Sequence, residues 1–129
     1  MLDKLSLEQL EGIFNALPID VLFVDENDKL RYWNRADKRS GPADAYGKDI
    51  RGCHKPDSLP RLEQLVDNLK SGRKDEEEFW VSYNDRILNR FIAVRNKQGR
   101  YLGMLEYLFK FKELEQLAED KKEAHKLFP

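Results

Sequence analysis

The last third of the chain places the strongest limit on its fold. From Glu78 to Phe111 the sequence holds three runs of β-branched, aromatic and aliphatic residues, separated by two short turns. Glu78-Phe79-Trp80-Val81-Ser82-Tyr83 is the first run, and Asn84-Asp85 turns the chain. Arg86 to Arg95 follows with Ile87, Leu88, Phe91, Ile92 and Val94, and Asn96-Lys97-Gln98-Gly99 turns it again. Tyr101 to Phe111 is the third run, which Gly103 is expected to break. Asn, Asp and Gly accept the backbone geometry of tight turns, so three strands joined this closely predict an antiparallel meander.

The preceding segments supply the partners that such a sheet needs. Leu5 to Leu17 reads as an amphipathic helix, with Leu7, Leu10, Ile13, Phe14 and Leu17 on one face. Ser6 and Gln9 form a capping-box pattern at its start, and Pro18 ends it. Val21-Leu22-Phe23-Val24 and Lys29 to Trp33 read as two strands around the Glu26-Asn27-Asp28 turn. Asn34 is expected to cap a short helix running to Arg39, before Ser40-Gly41-Pro42 breaks the chain. Asp44 to Ile50 is expected to form one or two helical turns ending near Gly52. Ser58 is expected to cap a helix over Leu59 to Lys70, with Leu62, Leu65, Val66 and Leu69 as its apolar face and Ser71-Gly72 as its stop. Lys112 to Leu127 reads as a charged helix with a thin seam of Leu114, Leu117, Ala124 and Leu127, suited to docking or a short coiled coil. The order predicts an α+β fold: a five-stranded antiparallel sheet, helices on one face, and flanking helices at both ends. The expected divisions are an N-terminal helix (1–18), a core (19–111) and a C-terminal helix (112–129).

Composition removes several classes of function. The 23 basic and 24 acidic residues nearly cancel, so no bulk positive charge marks a nucleic-acid surface. One cysteine rules out an internal disulfide, and without a C-x-x-C pair a zinc ribbon or iron–sulfur centre is not expected. No signal pattern or membrane-length apolar run is present, so a cytoplasmic location is expected. The two histidines stand far apart, and no nucleophile elbow or phosphate-binding loop occurs, so no enzymatic activity is expected.

The residues richest in chemistry lie in Gly47-Lys48-Asp49-Ile50-Arg51-Gly52-Cys53-His54-Lys55-Pro56-Asp57-Ser58. His54 sits between structured elements, whereas His125 falls in the charged tail. A histidine here serves either as a ligand to a bound group or as a hydrogen-bonding residue that fixes the turn. Cys53 reads first as a small buried apolar residue, and second as a redox or ligand residue. Trp33, Trp80, Tyr83 and Tyr107 read mainly as core or sheet-face aromatics, and Asp75-Glu76-Glu77-Glu78 as a solvated strand entry.

Across residues 8 to 111 the sequence resembles a PAS domain. The resemblance rests on Leu10-Glu11-Gly12-Ile13-Phe14-Asn15-Ala16-Leu17-Pro18, on Val24-Asp25-Glu26-Asn27-Asp28 with Asn34 beyond it, on Gly47-Lys48-Asp49-Ile50, and on Ala93 to Gly103. Arg51 to Ser58 also resembles the Cys-His-Pro-Pro-x-Ser signature of a PAS subgroup often appended to hemerythrin-like bacterial and archaeal proteins, with Lys55 in place of the first proline. The resemblance implies a sheet cupping a pocket, with sensing or dimerisation as the function. It further implies a non-covalent haem b, with His54 as axial iron ligand. The expected pocket residues are Arg51, Cys53, Leu62, Leu65, Val66, Leu69, Phe79, Val81, Phe91, Ile92, Val94, Met104 and Leu105, with Arg51, Lys55 and Arg61 near the propionates. Gas binding or a redox change would then pass through the flanking helices to an unidentified partner, within a homodimer. The alternatives are a cofactor-free interaction module and a pocket for a small organic metabolite that bonds His54.

Overall fold

The computed structural model describes residues 1–34 and 46–123. The expected helix over Asn34 to Arg39, the Ser40-Gly41-Pro42 break, Ala124, His125 and Leu127 lie wholly or mostly outside them. Helix α1 spans Leu7–Ala16, and its capping box is formed: the Gln9 N–H donates to Ser6 Oγ (3.0 Å) and the Ser6 N–H to Gln9 Oε1 (2.9 Å). Strands β1 (Val21–Asp25) and β2 (Leu30–Trp33) make the first hairpin. Two short 3-10 turns, Ile50–Cys53 and Pro56–Ser58, lead into helix α2 (Leu59–Ser71). The meander follows as β3 (Glu76–Ser82), β4 (Ile87–Arg95) and β5 (Tyr101–Lys110), and helix α3 covers Phe111–Asp120.

The five strands form one antiparallel sheet in the order β2-β1-β5-β4-β3. The central β1–β5 pairing brings together strands from opposite ends of the chain, so the first hairpin closes onto the meander. Gly103 does not break β5. It pairs with Asp25 and Val94 in an unbroken strand, where a Cβ would overlap the Val24 carbonyl oxygen and the Phe23 ring. The glycine is the condition for close approach, not an interruption.

The inner face of the sheet presents Leu22, Val24, Phe79, Phe91 and Met104 to α2. Leu62, Leu65, Val66 and Leu69 fill the space between, and Leu69 is wholly buried. Gly72 ends α2 in the left-handed region (φ 81°), as a helix-stop glycine does. Ser58 precedes α2 but makes no side-chain capping bond. Residues 46–49 do not form a helical turn: Lys29 and Asp49 bridge in antiparallel fashion, and the turn begins one step later at Ile50. Asp49 itself caps that turn through the Arg51 N–H (2.9 Å).

The outer face carries α1 near β1 and β2. No residue of α1 is buried. Polar anchors hold its C-terminal end: Asn34 Nδ2 donates to the carbonyls of Phe14 (3.1 Å) and Ile19 (2.9 Å), Asn34 Oδ1 accepts from the Val21 N–H (2.8 Å), and the Tyr32 hydroxyl donates to Asn15 Oδ1. The Asn34 side chain is therefore a tie between α1 and the sheet.

Candidate functional site

A cavity of about 430 Å³ opens between the inner face of the sheet and the segment that leads into α2. Its walls are mainly apolar, from Leu22, Val24, Leu30, Trp33, Ile50, Leu62, Phe91 and Met104. Cys53 and His54 line it at the 3-10 turn, where Cys53 is exposed and not buried as expected, and Asp20, just before β1, lines it with Glu106 and Lys110 of β5. A second lobe of about 170 Å³ shares His54, Leu62, Val81 and Phe91 with the first, and adds Ser58, Arg61, Leu65, Phe79 and Asn89. An apolar hollow with a few polar groups in the low hundreds of cubic ångströms is what small-molecule sites look like.

The sequence-expected site residues divide into groups. Cys53, His54, Leu62, Phe91 and Met104 line the main cavity, and Leu65 and Phe79 the second lobe. Val66 and Leu69 support it from the core without lining either lobe. Val94 and Leu105 do not belong to it. They lie on the outer face, in a separate groove of about 590 Å³ with Leu7, Phe14 and Phe23, and Ile92 shares that face through its pairing with Leu105. The cause is the two-residue period of a strand: if Met104 faces inward, Leu105 cannot. Asp20, Glu106 and Lys110 were not anticipated. The same period, counted from Met104, places Glu106 and Lys110 on the inner face.

Arg51 is held away from any ligand by three carboxylates. Its Nη1 lies 3.0 Å from Asp28 Oδ2 and 3.1 Å from Asp49 Oδ1, and its Nε donates to Glu63. Asp28, itself buried, also pairs with Lys70 Nζ (2.9 Å). These bonds join the β1–β2 turn, the 3-10 turn and α2. The Glu63 bond, with Asp28 and Asp49, raises the Arg51 pKa, and Arg51 in turn holds the Glu63 carboxyl low. Burial pushes the Asp49 carboxyl up, but the hydrogen bonds and charge of Arg51 outweigh it and the net shift is down. Arg61, in contrast, lays its guanidinium carbon 4.0 Å from the centre of the Phe79 ring. The His54 backbone N–H donates to the Arg51 carbonyl (3.4 Å), which sets the turn that brings His54 to the cavity.

Among the described residues, no group of three or more His, Cys, Asp and Glu side chains is placed to hold a metal ion. Axial haem ligation asks less of the protein, a single imidazole, and His54 meets that condition at the cavity wall. Of the three cations expected near propionates, Arg61 lines the second lobe, Lys55 lines neither lobe, and Arg51 is committed to carboxylates.

A five-stranded antiparallel sheet of this order with a cavity on its inner face defines an α+β domain, and comparison with known proteins specifies the family. A PAS domain family model matches residues 10–112. The chain belongs to the PAS domain family, whose members are commonly sensory and signalling modules. A C-terminal domain from Streptococcus mutans is 26% identical over 88% of this chain and 90% of its own, with a TM-score of 0.76. A sensory box sensor histidine kinase from Vibrio cholerae is 13% identical over 78% of this chain and 87% of its own, with a TM-score of 0.55. The PAS domain of Bordetella pertussis BvgS is 17% identical over 90% of this chain and 95% of its own, with a TM-score of 0.53. None of the curated proteins compared matches the chain. No helix among the described residues is long and apolar enough to cross a membrane.

Proposed function

We propose that this PAS domain is a non-catalytic sensor that binds a small organic molecule in the inner-face cavity and signals through its flanking helices. One observation carries the reading: Asp20, Leu108 and Lys110 line both the cavity and a small cleft beside α3. Leu108 donates its N–H to the Asp20 carbonyl (3.3 Å), which joins the α1–β1 link to the end of β5. A ligand pressing on this end of the cavity would bear on the attachment of both helices at once. Exposed Leu7, Ile13 and Phe14 on α1, and Leu114 and Leu117 on α3, offer apolar surface for a homodimer or a downstream partner. The test is hydrogen exchange on the protein saturated with a cavity-binding compound found by thermal-shift screening. Slower exchange in β5 and the first turn of α3 supports the reading. Protection confined to the compound's immediate contacts, with α3 unchanged, contradicts it.

A second reading, haem b with His54 as axial ligand, is favoured by the place of His54 on the wall shared by both lobes. Bound there, the iron would supply gas binding or a redox change as the signal. The Cys53-His54-Lys55-Pro56-Asp57-Ser58 run supports membership of the subgroup associated with hemerythrin-like proteins, in a cytoplasmic setting. Titration with hemin decides this reading. It requires a Soret band that shifts on reduction and on carbon monoxide, and that collapses in His54→Ala.

A further inference from the structure

We infer that the cavity selects a carboxylate-bearing apolar molecule, with the carboxylate at Arg61 beside His54 and the apolar body against Phe91 and Met104. The inference rests on the sensor reading and names the ligand class for that site. Arg51 and Arg61 make the case by contrast. Arg51 is satisfied by Asp28, Asp49 and Glu63. Arg61 has no carboxylate partner among the described residues, and its guanidinium is already laid over the Phe79 ring at 4.0 Å. An arginine stacked on an aromatic face keeps its N–H edges for a planar anion, and its orientation is set before binding. Arg61 lines the second lobe together with His54 and Ser58. An imidazole N–H and a hydroxyl can each donate a hydrogen bond, and the Ser58 hydroxyl is not used as a cap on α2. The lobe runs into the main cavity along Phe91 and Leu62, so an anionic head at Arg61 leads its body onto apolar wall. The main cavity sets Asp20 and Glu106 against Lys110, whereas Arg61 faces no acidic residue in the lining of this lobe, which favours the anion at the Arg61 end.

Matched pairs of probes test the inference by calorimetry on the full chain: octanoate against octanamide, and 1-naphthoate against 1-naphthamide. The expected result is at least tenfold tighter binding of each acid than of its amide, as a charge-assisted hydrogen bond to Arg provides. That preference should fall to within about twofold in Arg61→Gln, while Arg51→Gln should retain it. Equal binding of acid and amide by the wild type, or a preference that survives Arg61→Gln, overturns the carboxylate assignment and leaves the sensor cavity standing. Failure of all four probes to bind counts against the carboxylate assignment and the cavity reading together. Protoporphyrin and its dimethyl ester form a second arm. A preference for the free porphyrin over its ester, lost in Arg61→Gln, would add a propionate to the carboxylates that the site accepts.

Discussion

The two faces of the sheet are covered in different ways. On the inner face α2 is tied near its start through Glu63 and Arg51, fastened at its C-terminal end, and packed along its length. Leu62, Leu65, Val66 and Leu69 are buried, Asp28 ties the β1–β2 turn to Lys70, and the Arg95 guanidinium donates to the Leu69 carbonyl at the end of α2. On the outer face α1 has no buried residue and is held mainly at one end, through Asn15 and Asn34. A helix of ten residues has little stability of its own, so α1 depends on those ties and on whatever covers it. The lesson is a division of labour. The rigid side shapes a cavity, and the loosely held side is free to change its contacts.

Truncations in the two helices should separate the faces most widely. Leu69→Ala removes a wholly buried side chain and should cost about 2–5 kcal/mol in urea unfolding, the usual range for a core leucine. Leu7→Ala, at 84% exposure, should stay within about 0.5 kcal/mol. Comparable losses would erase the distinction. Next in size, Gly103→Val forces a side chain into the β1–β5 seam and should cost about 1–3 kcal/mol or more. A neutral result would show that the two halves of the sheet are not in close register there.

Arg51 sharpens the comparison from the charge side. Arg51→Leu leaves Asp28 with Lys70 alone and Asp49 with only the backbone N–H of residue 51, and should cost about 1–2 kcal/mol at neutral pH. The Asp49 and Glu63 carboxyls titrate lower in the folded state than in the unfolded one. Their stabilisation is therefore full above the unfolded values near about pH 4, and is lost as pH falls through the depressed folded values. Denaturation midpoints measured from pH 6 to pH 2 should fall for the wild type, with the Glu63 share of that fall missing in Arg51→Leu and the Asp49 share reduced to what the retained backbone N–H bond supplies. Parallel curves would mean that the arginine does not hold those carboxyls down. Asn34→Ala should cost about 1 kcal/mol, and its signature is local. Amide exchange should quicken throughout α1 and stay unchanged in α2. Exchange that rises equally in both helices would show α1 to be part of the main cooperative unit.

Legibility in the sequence followed the same divide. The capping box of α1, the Gly72 stop, the two turns of the meander and the buried stripe of α2 are local signals, and each has its counterpart in the structure. The sides of the strands are readable from the two-residue period: Val94 and Leu105 are apolar enough for a pocket, yet the alternation about Met104 turns them outward. Hydrophobicity marks burial, and only parity marks which face. The fate of the charged residues depends on tertiary approach and was out of reach. Nothing local distinguishes Arg51, taken by carboxylates from three separate segments, from Arg61, laid on a ring contributed by β3. Asn34 shows the same limit. Its cap-like position suggested a helix start, while its side chain joins α1 to β1.

The most direct test of the central claim, that ligands enter the inner-face cavity, is methyl-resolved NMR on protein labelled at Met, Leu and Val, titrated with 1-naphthoate. The account predicts shifts at Met104, Leu62 and Leu22, with Val94 and Leu105 unmoved. Shifts at Val94, Leu105 and Leu7, with Met104 silent, would place the binding site under α1 and contradict it.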